Sequence, residues 1–190
     1  HIQSCVYSIF LLFPVIIFDF MIYCTQKQWD AETASATIIS HNYGGINMTV
    51  QNIEFTKMQG TGNDFVVLDC VAHPEYLEFA LTPALASKMC DRHYGIGADG
   101  LVLVLPSKIA DIQMRIINSD GSEAEMCGNG IRCFARFVYE QNIVRKESMT
   151  VETLAGVLVP RMILDEAGIV TGVEVDMGEP ILDCAGVPMI

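Results

Sequence analysis

The sequence predicts an α/β (α+β) domain in which short strands jointed by glycine turns alternate with a few helices. Three observations carry that expectation. From residue 48 onward, strand-like runs recur between glycine-rich turns. One of them, Leu101-Val102-Leu103-Val104-Leu105, is apolar at every position, as a strand buried on both faces must be. Ile131, Phe134, Ala135 and Val138 fall at the i, i+3, i+4, i+7 spacing of a helix with one apolar face. The chain has 190 residues, 51% of them hydrophobic, enough for one core of ordinary size or for one and a fraction domains.

The elements follow in order. Residues 50–58 mix apolar and polar positions with partial alternation, meet the turn cluster Gly60-Thr61-Gly62-Asn63-Asp64, and resume as Phe65-Val66-Val67-Leu68-Asp69. This pattern predicts two strands joined by a tight glycine-rich loop. Thr82-Pro83, followed by Ala84, Leu85, Ala86, Lys88, Met89 and Cys90, places a capping residue, a proline at the first helical position and good helix formers in sequence. A helix ending near Arg92 is expected. A second glycine-rich loop, residues 93–100, precedes the apolar run, and residues 111–117 alternate as another strand would. Residues 149–153, 156–162 and 169–177 repeat the rhythm of strand and turn.

Residues 1–47 stand apart. Asp19, Lys27, Asp30 and Glu32 give them a net charge of −2, which leaves −10 of the total −12 to the rest. The run from Cys5 to Cys24 is long enough to cross a bilayer as a helix of about 20 residues. Pro14 interrupts it, Asp19 falls inside it at a cost of about 2.5 to 3.5 kcal/mol, and no Lys or Arg precedes it as a signal peptide requires. Gly44-Gly45-Ile46-Asn47-Met48 is compatible with a GGAGG ribosome-binding stretch ahead of an ATG codon. The expectation is that 1–47 is an extension outside the native protein, which starts at Met48.

Charge and cysteine content exclude some classes of function. With Lys+Arg 11 against Asp+Glu 23 and no basic cluster, no nucleic acid or anionic lipid partner is expected, because phosphate neutralisation needs a basic face. Seven unevenly spaced cysteines do not form a disulfide framework, so a reducing cytoplasmic location is expected. Cys70 and Cys90, with His73 and His93, lack the spacing of a metal site. Neither Gly60-x-Gly62 nor Gly95-x-Gly97 is a dinucleotide fingerprint.

Residues 118–130 carry the most chemistry. This polar, turn-rich loop leads directly into the amphipathic helix, so Cys127 stands at or just before its first turn. Unpaired backbone N–H groups and the positive end of the helix dipole meet there, which stabilises a thiolate able to act as nucleophile or general base. The same N–H groups, left open by Gly128, Asn129 and Gly130, suit a carboxylate or phosphate. Cys133, six positions on, is expected to be buried and inert. Asn63 and Asn118 each follow or close a turn and are also ordinary turn residues.

Three stretches, Phe55 to Asp69 (FTKMQGTGNDFVVLD), Arg92 to Val104 (RHYGIGADGLVLV) and Asn118 to Tyr139 (NSDGSEAEMCGNGIRCFARFVY), resemble the amino-terminal half of the diaminopimelate epimerases. The likeness runs in order and continues through residues 152–156 and 176–180. It implies a curled, barrel-like sheet around a central helix, the first of two similar domains. It also implies inversion of the α-carbon of LL-diaminopimelate to the meso form, without pyridoxal phosphate or metal, by two cysteines on opposite faces of that carbon. By the resemblance Cys127 is one catalytic cysteine, Gly128 and Asn129 bind the α-carboxylate, and Asn63 and Asn118 contact substrate. The family often has Gln where this chain has Gly100, so that role is not carried over. Residues 48–180 would be the first domain and 181–190 the entry to a second, which would hold the other cysteine. Cys184 lacks the surroundings of that cysteine. The resemblance also implies a homodimer for the full-length protein, and a piece of this length is expected not to epimerise alone. The alternatives are another racemase or isomerase of the same fold, an inactive truncated product, or a tethered binding module if residues 5–24 span a membrane.

Overall fold

A computed structural model describes residues 20–24, 33–40 and 49–178, with side chains from Ile53 onward apart from Phe79. The fold is mixed α+β. Its main sheet begins as an antiparallel meander: β1 (Phe20–Cys24), β2 (Thr33–Ser40), β3 (Thr49–Gly60) and β4 (Asn63–Asp69). The chain then crosses over through α1 (Tyr76–Ala80) and α2 (Pro83–Cys90) to β5 (Gly100–Leu105), parallel to β4. β6 (Ile112–Asn118) returns antiparallel, the two-residue β7 (Glu123–Ala124) pairs with its end, and α3 (Gly128–Glu140) leads to β8 (Val151–Thr153), parallel to β6. β9 (Gly156–Leu158) ends the sheet. β10 (Arg161–Leu164) and β11 (Val170–Glu174) form a separate antiparallel pair.

The period of two in β4 and β5 explains why both read as continuous apolar runs. Val66, Leu68, Leu101, Leu103 and Leu105 join the core beneath α1 and α2. Phe65, Val67, Val102 and Val104 point the other way, into the core shared with Ile131, Phe134, Ala135 and Val138 of α3. The helices therefore cover opposite faces of the sheet. Met162 and Val170 bring the β10–β11 pair onto the α3 side. The sheet order runs as an open path from β1 to β9 and does not close into a barrel.

Several expectations are corrected in detail. The strand expected over 156–162 is broken after Leu158, because Pro160 has no N–H for a ladder; its carbonyl instead accepts from the Met149 N–H at 3.2 Å. The short α1 and the two-residue β7 were not anticipated. Within the segment read as an extension, β1 and β2 continue the sheet past β3, and residues 20–24 of the apolar run are strand rather than helix. Residues 5–19, Met48 and 181–190 with Cys184 lie outside the described residues. Among those described, no helix is long and apolar enough to cross a membrane.

Candidate active site

Register brings four strand ends to one edge of the sheet. Gly60 at the end of β3 lies opposite Asn63 at the start of β4, and Gly100 at the start of β5 lies opposite Asn118 at the end of β6. The β3–β4 link is a two-residue loop, Thr61-Gly62, with φ of 53° and 91°, the positive pair that a tight hairpin needs. The amino terminus of α3 packs directly on this edge. A Cβ on Gly60 would lie 3.1 Å from Cys133 Sγ and 3.3 Å from the Asn129 carbonyl oxygen, so only glycine permits this approach without a shift.

Cys127 is the N-cap of α3, with extended backbone (φ −144°, ψ 115°), and its Sγ accepts from the Gly130 N–H at 3.4 Å. Its carbonyl accepts the first helical hydrogen bond, from Ile131 N–H at 2.9 Å. Gly128 and Asn129 occupy the first turn, where backbone N–H groups have no carbonyl one turn earlier to bond. The thiol is partly exposed, as are Gly128 and Asn129.

Asn63 and Asn129 are joined side chain to side chain: Asn129 Nδ2 donates to Asn63 Oδ1 at 2.6 Å. Asn63 Nδ2 in turn donates to Asp99 Oδ2 at 3.1 Å, and Arg132 donates to Asn129 Oδ1. Asn118 sits on the neighbouring strand end, and its Nδ2 donates to Ser122 Oγ at 3.0 Å within its own loop. Its link to the others runs through backbone, since Ser119 N–H donates to the Asp99 carbonyl at 3.1 Å. The structure thus brings Cys127, Gly128, Asn129 and Asn63 together and leaves Asn118 beside them without a direct hydrogen bond to the pair.

Charged residues that sequence reasoning missed hold this edge in place. Arg92 grips Asp64 with two hydrogen bonds, 2.6 and 3.1 Å, and reaches Asp99 at 2.8 Å. Lys57 lies 3.0 Å from Asp64, with both side chains largely buried. Burial raises the Asp64 carboxyl, but the hydrogen bonds and charges of Arg92 and Lys57 outweigh it and bring it down to about 2. The available signal was the presence of opposite charges, Lys57, Asp64, Arg92 and Asp99, inside otherwise glycine-rich stretches.

The remaining described cysteines are of a different kind. Cys70 and Cys90, the latter the last residue of α2, lie in the core that α1 and α2 cover, where burial pushes both thiols up to about 12, and burial likewise pushes Cys133 up to about 11.

Residues 55–182, which include the Gly-Asn-Asp-Phe and Cys-Gly-Asn-Gly stretches that form this edge, match the family model described as diaminopimelate epimerase. The chain belongs to the diaminopimelate epimerase family. It is 58% identical over 138 residues to the diaminopimelate epimerase of Heliobacterium modesticaldum, covering 73% of this chain and 49% of that protein. The enzyme of Caldanaerobacter subterraneus is 57% identical over 137 residues, covering 72% and 47% respectively. The chain spans about half the length of the curated relatives it matches. Among solved structures, a Bacillus anthracis phenazine biosynthesis protein of the PhzF family aligns at 25% identity and TM-score 0.44, covering 60% of this chain and 36% of that one.

Proposed function

We propose that this chain supplies one half of the active site of a cofactor-independent epimerase that converts LL-diaminopimelate to meso-diaminopimelate. The observation that carries the reading is the placement of Cys127 at the cap of α3, a backbone N–H on its sulfur and two further N–H groups alongside. A carboxylate held on the Gly128 and Asn129 N–H groups would set its α-carbon next to the thiol. The amide dipoles would also stabilise the charge that spreads onto the carboxylate as the α-proton leaves. Asn63 and Asn118 face the same edge and are read as contacts to the rest of the substrate.

Inversion requires proton donors and acceptors on both faces of the carbon. One thiolate takes the α-proton, breaking C–H and forming S–H, while a thiol on the opposite face gives up its proton to the carbanion. A single base returning its own proton would restore the starting configuration. Cys127 is assigned one face; the resemblance places the second cysteine in the other half of the complete enzyme. The reading carries with it the supply of meso-diaminopimelate for lysine and peptidoglycan synthesis, a cytoplasmic location and a homodimeric complete protein, and it leaves the piece alone without turnover.

The test is exchange of the α-proton of diaminopimelate with D2O, followed by NMR in the complete enzyme. Cys127→Ala should lower epimerisation by about 10³-fold or more, since it removes a proton-transfer group. Epimerisation that survives the substitution overturns the assignment.

A further inference from the structure

Asn63 and Asn129 each carry an amide whose two ends are nearly equal in shape and opposite in hydrogen-bonding character. A side chain of this kind presents a donor or an acceptor to its surroundings according to which way it is turned. Here the two are linked in a row whose ends have no such freedom. Asp99 at one end is acceptor-only as a carboxylate, and Arg132 at the other is donor-only. Asp99 Oδ2 receives Asn63 Nδ2 at 3.1 Å, which turns Asn63 Oδ1 toward Asn129; Asn129 Nδ2 meets it at 2.6 Å, which turns Asn129 Oδ1 toward Arg132. Reversing either amide would set nitrogen against nitrogen at one joint and oxygen against oxygen at the next.

We propose that Asp99 and Arg132 are positioning residues that fix the amide polarity of Asn63 and Asn129, and through it the pattern of donors that the site offers a substrate. Asp99 is suited to the role because it is itself held from three sides. Its Oδ2 also accepts the Asp64 N–H at 3.0 Å, its Oδ1 accepts from Arg92 at 2.8 Å, and its backbone N–H donates to the Asp64 carbonyl at 2.9 Å. Arg132 projects from the second turn of α3, and the Thr61 hydroxyl in the β3–β4 loop accepts from it at 3.4 Å. The row therefore ties the loop before β5, the β3–β4 hairpin and the start of α3 into one array, using an ionised group at each end.

The inference rests on reading Asn63 and Asn129 as facing substrate, and two measurements separate it from that reading. In the 15N-labelled full chain, the side-chain NH2 groups of Asn63 and Asn129 should be well dispersed and slow to exchange with solvent. Arg132→Met should speed that exchange by about tenfold or more while backbone protection along α3 is unchanged, and Arg132→Lys, which keeps a donor, should restore the slow exchange. Asp99→Asn should have the same effect as Arg132→Met at the Asn63 amide. Because Asp99→Asn removes a hub and can cost folding, the Arg132 pair decides the matter if it does.

In the complete enzyme, Arg132→Met should raise KM for diaminopimelate by about tenfold with kcat changed much less, a split that simple loss of folded protein does not produce. Exchange that ignores both Arg132→Met and Asp99→Asn overturns the proposal whatever the activity. If the exchange behaves as expected and diaminopimelate is not a substrate, the polarity assignment stands and the reading of function falls.

Discussion

Cys127 and Cys133 differ by six positions and by everything around the sulfur. Cys133 is 4% exposed beneath the end of β3, and burial keeps its thiol protonated. Cys127 is partly exposed at the helix cap. Cys70 and Cys90 share the burial of Cys133. A neutral, enclosed thiol is a poor nucleophile, so iodoacetamide at about pH 7.5 should alkylate Cys127 at least about tenfold faster than these three, read by peptide mass spectrometry. Equal labelling would remove the distinction. Cys127, Gly128 and Asn129 were legible in the sequence because their geometry is local: a polar loop, two glycines and an apolar stripe define a helix start within a dozen residues. The groups that hold them were not. Arg92 meets Asp64 across 28 residues and Asn129 meets Asn63 across 66, and no local pattern announces such pairs.

At the level of elements, β4 and β5 announced themselves as apolar runs after glycine-rich turns, β6 by alternation and α3 by helical spacing. Shorter elements did not. The five residues of α1 and the two of β7 are too few for a period to appear and are held by packing and pairing with neighbours. Gly100 shows how closely those elements fit. A Cβ there would lie 2.7 Å from the Ile117 carbonyl oxygen on the adjacent strand, far inside ordinary contact. Any side chain at this place requires β5 and β6 to sit differently. Gly100→Ala and Gly100→Gln should each destabilise the chain by about 1 to 3 kcal/mol, seen as a lower urea midpoint at unchanged m-value. Unchanged stability would mean that the two strands separate without cost.

Across the whole molecule, the loop before β5, the hairpin and the sheet edge are coupled through the Asp64 carboxylate, and acid is the direct way to test that coupling. Its folded-state pKa of about 2 lies below the ordinary 3.8, so its contribution is fully present above about pH 4 and is lost as pH falls toward 2. Because the side chain is only 13% exposed, the shift converts to about 2 kcal/mol with modest discount for solvent. Asp91, Asp111, Asp120 and Glu123 are also lowered by their hydrogen-bond partners, and they steepen the loss in the same direction. Asp64→Asn isolates the one carboxylate among them. Denaturation at a series of pH values should show the variant less stable than the parent by about 2 kcal/mol near pH 6, with the gap narrowing as pH falls from about 4 to 2. A gap that stays constant across that window would mean that protonating Asp64 costs nothing, so that Arg92 and Lys57 hold the neutral acid as firmly as the carboxylate. The edge beside Cys127 would then owe its shape to hydrogen bonding alone rather than to charge.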